Sequence, residues 1–571
     1  MTAKSAQSTP KVTPSDEQLA FITSREPAMT LQAIAGSGKT FTIVERIKEL
    51  NKLGESTSLF LFDRANTLEA KKRIGKAAQV QTFHSLAYQW HAANLGKDLI
   101  RQRVAGAFNP IEVVEMIPWP KYGISQIDRL EVTGMMLKVL GDFCSSAETK
   151  IGYHHLSRLG DNSAIKVDAL IHMTQQFYSE CLQNNNIPLT FDVMLKSYQL
   201  TKPYLDVDNV IIDEGQDTNP VSNDLAVGQI IRSHENKRRR LTKVAIVGDK
   251  DQSIYLFRNA MNALQQFDVA KRYSLTVSRR FGPHIGHLAE TAINSVKPND
   301  KIKVTGVNPD KDRIYIYDSG ESGSTPTSSN VKRQLAVRRL MDDSRAGRST
   351  MILCRSLLGI AEACLTIVKL NKETNPHKDE ISLPYRLAGG VQKYNFERFI
   401  QAAMLYNGET PTDPLMHSFK SWSEFINFAE VTGSSDLLSI VSFVKRYGKS
   451  AGSVIRGIKA QNLEAIQRRA KKVNGSLPEK LKNLPHIVVS SAHRSKGLEA
   501  DSVLVWDDFR AWGDLSDDLF NCIIGDDNYK EYEQEVNLTY VAITRARSKL
   551  SIPSKWRPLL DSLTKSAVLR I

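Results

Sequence analysis

The sequence predicts an α/β fold with parallel β-sheets in two doubly wound domains, each carrying a mostly helical insertion. Short runs rich in Val, Ile, Leu and Phe lack strict polar–apolar alternation, as expected of strands buried on both faces. Helical stretches separate these runs, an order typical of parallel sheets. The runs form two sets, before and after about residue 284, and occupy 58–62, 209–214, 243–249, 313–318, 351–354, 486–491 and 502–507.

Two long segments interrupt the alternation and predict the insertions. Neither contains a clear buried strand, and both have a mostly helical pattern. A chain of 571 residues is also too long for one ordinary domain. The predicted units are a first α/β domain (1–90 and 200–283) with insertion 91–199, and a second α/β domain (284–390 and 485–571) with a short insertion 391–484.

The composition is that of a soluble globular protein with a basic balance. Hydrophobic residues make up 41% of the chain and charged residues 24%. The formal net charge of +14, from 76 basic and 62 acidic residues, favours a polyanionic partner. A basic but otherwise ordinary enzyme surface is the alternative interpretation.

Cysteine usage and the N-terminal segment predict the compartment. The five cysteines are scattered and have no zinc-ligand spacing, which favours a reduced intracellular protein without a structural metal. The start MTAKSAQSTPKVTP lacks the apolar core of a signal peptide. No apolar run is long enough to span a bilayer, so no membrane partner is expected.

The stretch AIAGSGKT at 33–40 predicts a phosphate-binding loop. It follows a plausible strand and precedes a plausible helix, FTIVERIKEL, so its backbone N–H groups would open onto a helix N-terminus. Lys39 would reach the β and γ phosphates, and Thr40 would bind Mg²⁺. Ala33 stands where glycine is usual, a position that requires a small residue. The predicted nucleotide-binding residues here are Ala35, Gly36, Ser37, Gly38, Lys39 and Thr40.

A second motif, VIIDEGQD, ends a predicted buried strand in two carboxylates. Asp213 at a strand end can hold Mg²⁺ with its water shell, and Glu214 can orient or deprotonate the attacking water. The alternative is a solvated acidic turn. Together with the phosphate-binding loop, the motif predicts hydrolysis of Mg-ATP, with Thr40 and Asp213 as the metal ligands.

The third motif, IVGDKDQSIYLFRNA at 246–260, combines residues suited to contact a nucleotide with residues suited to contact a nucleic-acid strand. Asp249 and Gln252 follow another predicted strand, where a γ-phosphate sensor would lie. Aromatic and cationic residues then alternate, a pattern that suits stacking on bases and contact with backbone phosphates of a single strand. These residues are Tyr255, Phe257 and Arg258.

In this order the motifs resemble those of the UvrD/Rep family of superfamily 1 DNA helicases. Gln18 in TPSDEQLAFI resembles the family's adenine-reading glutamine. QTFHSLA at 81–87 resembles a strand-binding motif, and Phe62 resembles the base-contacting aromatic of the motif before it. The resemblance therefore implies nucleic-acid contacts by Phe62, Thr82, Phe83 and His84.

The second half of the chain carries further motifs of the same family. LTVSRRFG at 275–282 implies that Arg280 contacts the γ-phosphate. SSAHRSKGLEADSV at 490–503 implies a ribose contact by Glu499 and a strand contact by His493, and also places Lys496 at a family position. EVNLTYVAITRARSKL at 535–550 implies that Arg545 is an arginine finger.

The resemblance implies two RecA-like domains, 1A and 2A, with ATP in the cleft between them and insertions 1B and 2B. Closure of the cleft would move the protein along a single strand in the 3′→5′ direction. The implied catalytic set is Lys39, Asp213, Glu214, Gln252, Arg280 and Arg545.

Three departures from the family pattern bear on function. Arg279 stands where an aromatic usually stacks on adenine; its guanidinium would stack in its place or leave base recognition weaker. Gly215 replaces a bulkier residue, with a local effect. The short second insertion makes translocation a firmer expectation than strand separation.

A finer resemblance links several segments to the helicase portion of F-box DNA helicases. RNAMNAL, LAGGVQKYNFER and NLTYVAITRAR carry this likeness. About thirty residues precede the phosphate-binding loop, so no F-box and no ubiquitin-ligase role are expected. A bacterial, phage or plasmid relative is favoured; the expected location is the cytoplasmic nucleoid in a prokaryote and the nucleus in a eukaryote.

The sequence thus predicts an ATP-dependent 3′→5′ single-stranded DNA translocase and helicase in repair, recombination or replication. Expected partners are single-stranded DNA, single-strand/duplex junctions, and a recombinase or single-strand-binding protein. One alternative is a translocase that strips proteins from DNA with little unwinding. Another is a non-motor, ATP-switched DNA-binding subunit of a defence complex. RNA is an alternative substrate. The basic clusters 237–240 and 468–472 would contact phosphates or form solvated faces.

Overall fold

The computed structural model confirms the α/β class with parallel sheets. The residues it describes are 13–62, 64–122, 124, 129–156, 165–236, 240–255, 259–267, 270–297, 299–308, 312–318, 326–374, 383–432, 434–522, 527–560 and 568–570.

The β-strands are short, as is usual in parallel sheets of this kind. They are β1 (Ala28–Ala33), β2 (Thr57–Phe60), β3 (Gln79–Gln81), β4 (Val104–Ala105), β5 (Leu189–Thr190), β6 (Asn209–Ile212), β7 (Lys243–Gly248), β8 (Lys271–Leu275), β9 (Val277–Ser278), β10 (Thr305–Gly306), β11 (Arg313–Tyr317), β12 (Thr350–Cys354), β13 (Tyr385–Leu387), β14 (Ile487–Ser491), β15 (Ala500–Val505), β16 (Ala546–Pro553) and β17 (Val568–Arg570).

The α-helices connect the strands and fill the two long segments that lack sheet strands. They are α1 (Asp16–Thr23), α2 (Lys39–Lys52), α3 (Arg64–Ile74), α4 (Phe83–Leu95), α5 (Lys97–Arg103), α6 (Pro110–Met116), α7 (Arg129–Ser145), α8 (Val167–Gln183), α9 (Phe191–Leu200), α10 (Pro220–Val227), α11 (Gln229–Glu235), α12 (Ala263–Gln266), α13 (Pro283–Asn294), α14 (Pro326–Arg345), α15 (Leu357–Thr374), α16 (Phe396–Tyr406), α17 (Pro414–His417), α18 (Trp422–Thr432), α19 (Ser435–Tyr447), α20 (Ala451–Ala460), α21 (Leu463–Asn474), α22 (Glu479–Lys482), α23 (Trp512–Asn521) and α24 (Asp527–Ile543). No helix in the part of the chain described above is long and apolar enough to cross a membrane.

The first sheet has six parallel strands in the order β3-β2-β6-β7-β1-β8. We call this sheet and the helices packed on it the first lobe. Its inner strands β2 and β6 are buried along their whole length, because helices cover both faces. The sheet order places the carboxyl ends of β6, β7 and β1 side by side, although these strands are far apart in sequence.

The second sheet has seven parallel strands in the order β13-β14-β12-β15-β16-β11-β17. We call this sheet and its helices, including α13 and α24, the second lobe. The apolar cluster under α13 and α24 also contains Ile34, Ala35 and Ile254 of the first lobe. The lobes therefore share a continuous apolar contact next to the phosphate-binding loop.

Residues 91–199 and 391–484 are mostly helical, as the sequence indicates. The first segment contains helices α5 to α9 and a two-stranded pair, β4 with β5. The second contains α16 to α22, with α16, α19 and α20 packed into the core cluster of the second lobe.

Candidate functional site

Three predicted motifs meet at one edge of the first sheet. Asp213 follows β6, Asp249 follows β7, and the phosphate-binding loop follows β1. These three strands are neighbours in the sheet, and crevices at the carboxyl ends of parallel strands are where such folds bind ligands.

The loop between β1 and α2 has the backbone that phosphate binding requires. Gly36 and Gly38 have φ angles of +77° and +86°, which disfavour any side chain. No side chain caps the start of α2 at Gly38, so the first amides of the helix point into the loop, and this cradle fits a phosphate chain. Ala33 is a buried residue at the end of β1, where its small side chain packs without strain.

Lys39 lies among the carboxylates of the second motif. Its Nζ is 3.1 Å from Asp213 Oδ1 and also forms an ion pair with Glu214. Burial opposes the charge on Lys39, but the two carboxylates outweigh it and raise its pKa. Burial likewise opposes ionisation of Glu214, and the charges of Lys39 and Lys496 nevertheless hold the pKa of Glu214 well below its usual value. Lys39 is thus held as a cation where phosphate charge would arrive.

The donor set fits the Mg²⁺ that accompanies ATP. Asp213 is a buried strand-end carboxylate, and Thr40 is an exposed hydroxyl in the first turn of α2. Mg²⁺ prefers one or two such hard oxygen ligands together with phosphate oxygens and water.

Gln18 lies beside the same loop. Its buried Nε2 donates to Ser37 O at 3.2 Å, and its Oε1 accepts from Ser15 N at 3.0 Å. The second contact belongs to the capping box of α1, so the start of that helix fixes the amide next to the loop.

Arg545 reaches into this site from the second lobe, and Arg280 approaches it from the segment between β9 and α13. Arg545 is buried at the end of α24, and its Nη2 donates to Gln252 Oε1 at 3.2 Å. Burial and the nearby charge of Arg280 lower the pKa of Arg545 to about 9, so it stays a cation at neutral pH. Arg280 Nε donates to Glu499 Oε2 at 2.6 Å, and the Arg280 Cβ lies against Gly36.

Glu499 is engaged by cations on two sides. Besides Arg280, Arg547 Nε donates to Glu499 Oε1 at 3.1 Å. Burial would raise the pKa of Glu499, but Arg547 and Arg280 lower it. A ribose contact by Glu499, as the resemblance implies, would have to share this carboxylate with both arginines.

The structure adds residues to the site to which the sequence motifs gave no role. Lys496 crosses from the second lobe, where its Nζ pairs with Asp217, approaches Glu214 Oε2 at 3.3 Å and donates to the backbone O of Gln252 at 3.0 Å. Tyr540 OH donates to Asp249 Oδ2 at 3.2 Å. Both residues lie in segments that resemble family motifs, 490–503 and 535–550, and that resemblance was the available signal; their partners depend on how the lobes pack.

An aromatic cluster lies beside the nucleotide site. Phe62, an exposed residue after β2, stacks on Tyr255 with ring centroids 5.4 Å apart. Tyr255 OH donates to His493 O at 2.9 Å, and the two rings are 6.2 Å apart. Three residues predicted to contact nucleic acid therefore meet at one place. Phe257 and Arg258 lie outside the described residues.

The strand-binding motif at 81–87 divides between surface and core. Thr82 caps α4 by accepting from Ser85 N at 3.1 Å. Phe83 is buried and stacks on Phe60 at 4.2 Å, so its ring supports the start of α4 and has no exposed face for a base. His84 is partly exposed and its Nε2 is 3.0 Å from Asp192 Oδ1. Thr82 and His84 are both accessible to a strand, whereas Phe83 is buried.

Comparison with known proteins places this geometry in a family. A model described as an AAA domain matches residues 17–258, and a model of the UvrD-like helicase C-terminal domain matches residues 430–555. The two matched regions contain the motifs that meet in the cleft except 275–282, the motif of Arg280, which lies between them. These matches, together with the relatives below, support a UvrD-like superfamily 1 helicase.

Individual UvrD-like relatives are distant but extensive matches. F-box DNA helicase protein 1 of Schizosaccharomyces pombe is 24% identical over 554 residues, covering 94% of this chain and 56% of that protein. F-box DNA helicase 1 of Gallus gallus is 24% identical over 574 residues, covering 94% and 48%. DNA helicase II of Salmonella typhimurium is 23% identical over 425 residues, covering 68% and 53%. The chain spans about half the length of these relatives.

Arg279, where this UvrD-like chain departs from the family pattern, sits at the edge of the loop. Its backbone N–H donates to Gly36 O at 3.0 Å, and its side chain is exposed. The guanidinium is therefore attached next to the nucleotide cradle and accessible from solvent.

The structure describes the two basic clusters, 237–240 and 468–472, to different extents. Residues 237–239 lie outside the described part of the chain, and Arg240 is exposed. Arg468, Arg469, Lys471 and Lys472 are exposed on α21, so this helix presents a basic surface.

Proposed function

We propose that the chain is an ATP-dependent motor that moves 3′→5′ along single-stranded DNA and separates strands at single-strand/duplex junctions. The observation that supports this proposal most directly is the hydrogen bond from Arg545 to Gln252 across the lobes. Gln252 belongs to the loop 249–255, whose other end bears Tyr255 in the aromatic cluster. Hydrolysis and strand contact would then depend on the same closure of the cleft.

The residue roles follow from these positions. Lys39 and Arg545 would stabilise charge on the transferred phosphoryl group, and Glu214 would orient the attacking water. Arg280 would join them once its pairing with Glu499 is shared with nucleotide. Mg²⁺ bound with ATP would neutralise charge on the β and γ phosphate oxygens, with Asp213 and Thr40 as its protein ligands.

The domain assignment is part of the proposal. The first and second lobes would act as domains 1A and 2A, with residues 91–199 and 391–484 as insertions 1B and 2B. Phe62, Tyr255, His84 and His493 would contact the strand, with Gln18 and Arg279 flanking the base of ATP.

An ATPase assay with and without single-stranded DNA tests the motor. We expect the wild type to be stimulated by DNA and Lys39→Ala to lose hydrolysis while retaining DNA binding. Lys48→Ala, which removes an exposed lysine of the same helix, is the control and should match the wild type. Hydrolysis that DNA leaves unchanged would contradict the proposal.

Strand displacement tests polarity and the kind of work done. A duplex with a 3′ single-stranded tail should be unwound faster than one with a 5′ tail, and the opposite preference would contradict the assignment. Removal of a pre-bound recombinase without unwinding of either substrate would favour the protein-stripping alternative.

A further inference from the structure

Lys297 is a buried lysine that connects the two lobes away from the nucleotide itself. It lies three residues after α13, on the second lobe, with a nearly inaccessible side chain. Its Nζ is 3.0 Å from Asp251 Oδ1, and Asp251 belongs to the loop 249–255 of the first lobe. Such a charge is stable in an interior when its hydrogen-bonding capacity is filled.

All three donor positions of Lys297 are filled by protein acceptors. Besides Asp251, its Nζ contacts Glu533 Oε1 at 2.9 Å and Asn537 Oδ1 at 2.8 Å. Burial would lower the pKa of Lys297, but Asp251 and Glu533 outweigh burial and raise it. The ammonium is therefore a permanent cation held between the lobes, and an ammonium group has no fourth donor to offer a ligand.

Helix α24 supplies two of these partners, Glu533 and Asn537, from one face. Glu533, Asn537 and Tyr540 follow one another at intervals of four and three residues, so they share one side of the helix. Asn537 Nδ2 also donates to Ser253 O at 3.0 Å, and Tyr540 reaches Asp249. The polar face of α24 and Lys297 thus hold the loop 249–255 at three of its residues.

The same loop serves both halves of the proposed motor. Between Asp251 and Ser253 lies Gln252, which contacts Arg545 at the nucleotide site. Tyr255, two residues after Ser253, stacks on Phe62 and donates a hydrogen bond to the backbone O of His493. A shift of the loop relative to the second lobe would move both contacts together.

We propose that Lys297 is a positioning residue that couples the nucleotide site to the strand-binding surface by fixing the loop 249–255 to α24. This inference rests on the proposed function, because it concerns how DNA binding stimulates hydrolysis. Lys297 touches neither set of ligands. It contacts Asp251 and Asn537 directly, and through them it positions the other residues of the loop 249–255.

The test compares the stimulation ratio, which is the kcat for ATP with saturating single-stranded DNA divided by the kcat without it. Lys297→Met should lower this ratio by about five-fold or more, in the range of ordinary coupling between sites. Its KM for ATP and its DNA affinity without nucleotide, measured by fluorescence anisotropy, should change little. Lys297→Arg should restore most of the ratio, and Lys301→Met, which removes an exposed lysine nearby, should leave it unchanged.

A second variant separates coupling from folding. Asp251→Leu/Lys297→Met replaces the buried pair by apolar residues of similar volume, which often preserves stability. The double variant should melt close to the wild type yet keep the low ratio, and it takes the place of Lys297→Met if the single variant does not fold. A wild-type ratio in either variant would overturn the inference. No stimulation of the wild type would instead overturn the proposed function.

Discussion

Two clusters of buried charge join the lobes, and they differ in what lies beside them. The nucleotide cluster contains Lys39 and Lys496 with Asp213, Glu214 and Asp217. The anchor cluster contains Lys297 with Asp251, Glu533 and Asn537. The first faces a cradle of backbone amides open to phosphate, whereas in the second all three donor positions of Lys297 are filled by protein groups.

The nucleotide cluster contains a carboxylate whose charge can change near neutral pH. Burial raises the pKa of Asp217 to about 7 despite the charge of Lys496. One carboxylate oxygen in each cluster, Asp217 Oδ1 and Asp251 Oδ2, is buried without a hydrogen bond. Lys297, by contrast, is held as a cation by Asp251 and Glu533, which suits a fixed point between the lobes.

The largest expected effect concerns Arg545, which lies beside the nucleotide cluster and contacts Gln252. Arg545→Lys keeps the charge but loses the fork that reaches Gln252, so we expect kcat for ATP hydrolysis to fall by about 10³–10⁵-fold. Steady-state hydrolysis with saturating single-stranded DNA measures this. In the anchor cluster, the reverse change Lys297→Arg should keep most of the activity. Equal losses of kcat in the two variants would contradict the distinction between the two clusters.

A second prediction compares the stability of the two clusters. Lys297→Met removes the buried cation that pairs with Asp251 and Glu533, leaving Lys250 as the remaining cation beside Asp251, and should destabilise the fold by about 3–5 kcal/mol. Lys496→Met should cost less, because Asp217 can take up a proton at neutral pH. The shifts in melting temperature of the two variants at neutral pH provide the measurement. A larger loss in Lys496→Met would show that the nucleotide cluster is the more rigid one.

The raised pKa of Asp217 predicts a dependence of stability on pH. Its value of about 7 in the folded chain lies above its ordinary value of 3.8, so the folded state binds this proton more tightly. The carboxyl therefore stabilises the fold fully below about pH 4, and this contribution is lost as the pH rises to about 7, with a slope of up to about 1.4 kcal/mol per pH unit.

Asp217→Asn removes this titration. The melting temperature of the variant, relative to that of the wild type, should rise between about pH 5.5 and about pH 7.5. A constant difference across this window would mean that Asp217 is ionised throughout.

The smallest effect concerns the backbone beside the nucleotide cluster. A Cβ at Gly215 would lie 2.2 Å from Ile246 Cγ2, so Gly215→Ala should destabilise the fold by about 1–3 kcal/mol and shift Glu214. Gly457→Ala, in α20 with open space around it, should instead be neutral or stabilise by up to about 1 kcal/mol. Urea unfolding followed by circular dichroism compares them; the same sign for both would contradict the packing argument.

Sequence patterns located most strands of the two large sheets, and the strands that they missed have physical reasons. All seven apolar runs are strands in the structure. The strands β3, β8, β13 and β17 had no such signal, and each lies at the edge of a sheet, where a strand need not be apolar on both faces. The strand β16 lies inside the second sheet, but half of its residues are only partly buried, so its sequence ARSKLSIP gives no apolar run.

The candidate site was predictable where one short motif carries its own chemistry. The sequence alone predicted a phosphate-binding loop, strand-end carboxylates and a polar–aromatic loop, because glycine spacing and the ends of apolar runs are local features. Phe83 shows the limit of this reasoning, since an aromatic in a strand-binding motif can equally pack against a core ring such as Phe60.

The sequence by itself thus determined two parallel α/β units, the nucleotide chemistry of the first and the family likeness. The tertiary structure decided the strand order that brings β6, β7 and β1 together, and it decided which second-lobe residues meet the loop 249–255. Gln252 and Arg545 are 293 positions apart, and Asp251 and Lys297 are neighbours only after the lobes pack. Hydrophobic periodicity encodes which face of an element is buried, but partners across a cleft depend on how two folded units fit, and no local pattern records that fit.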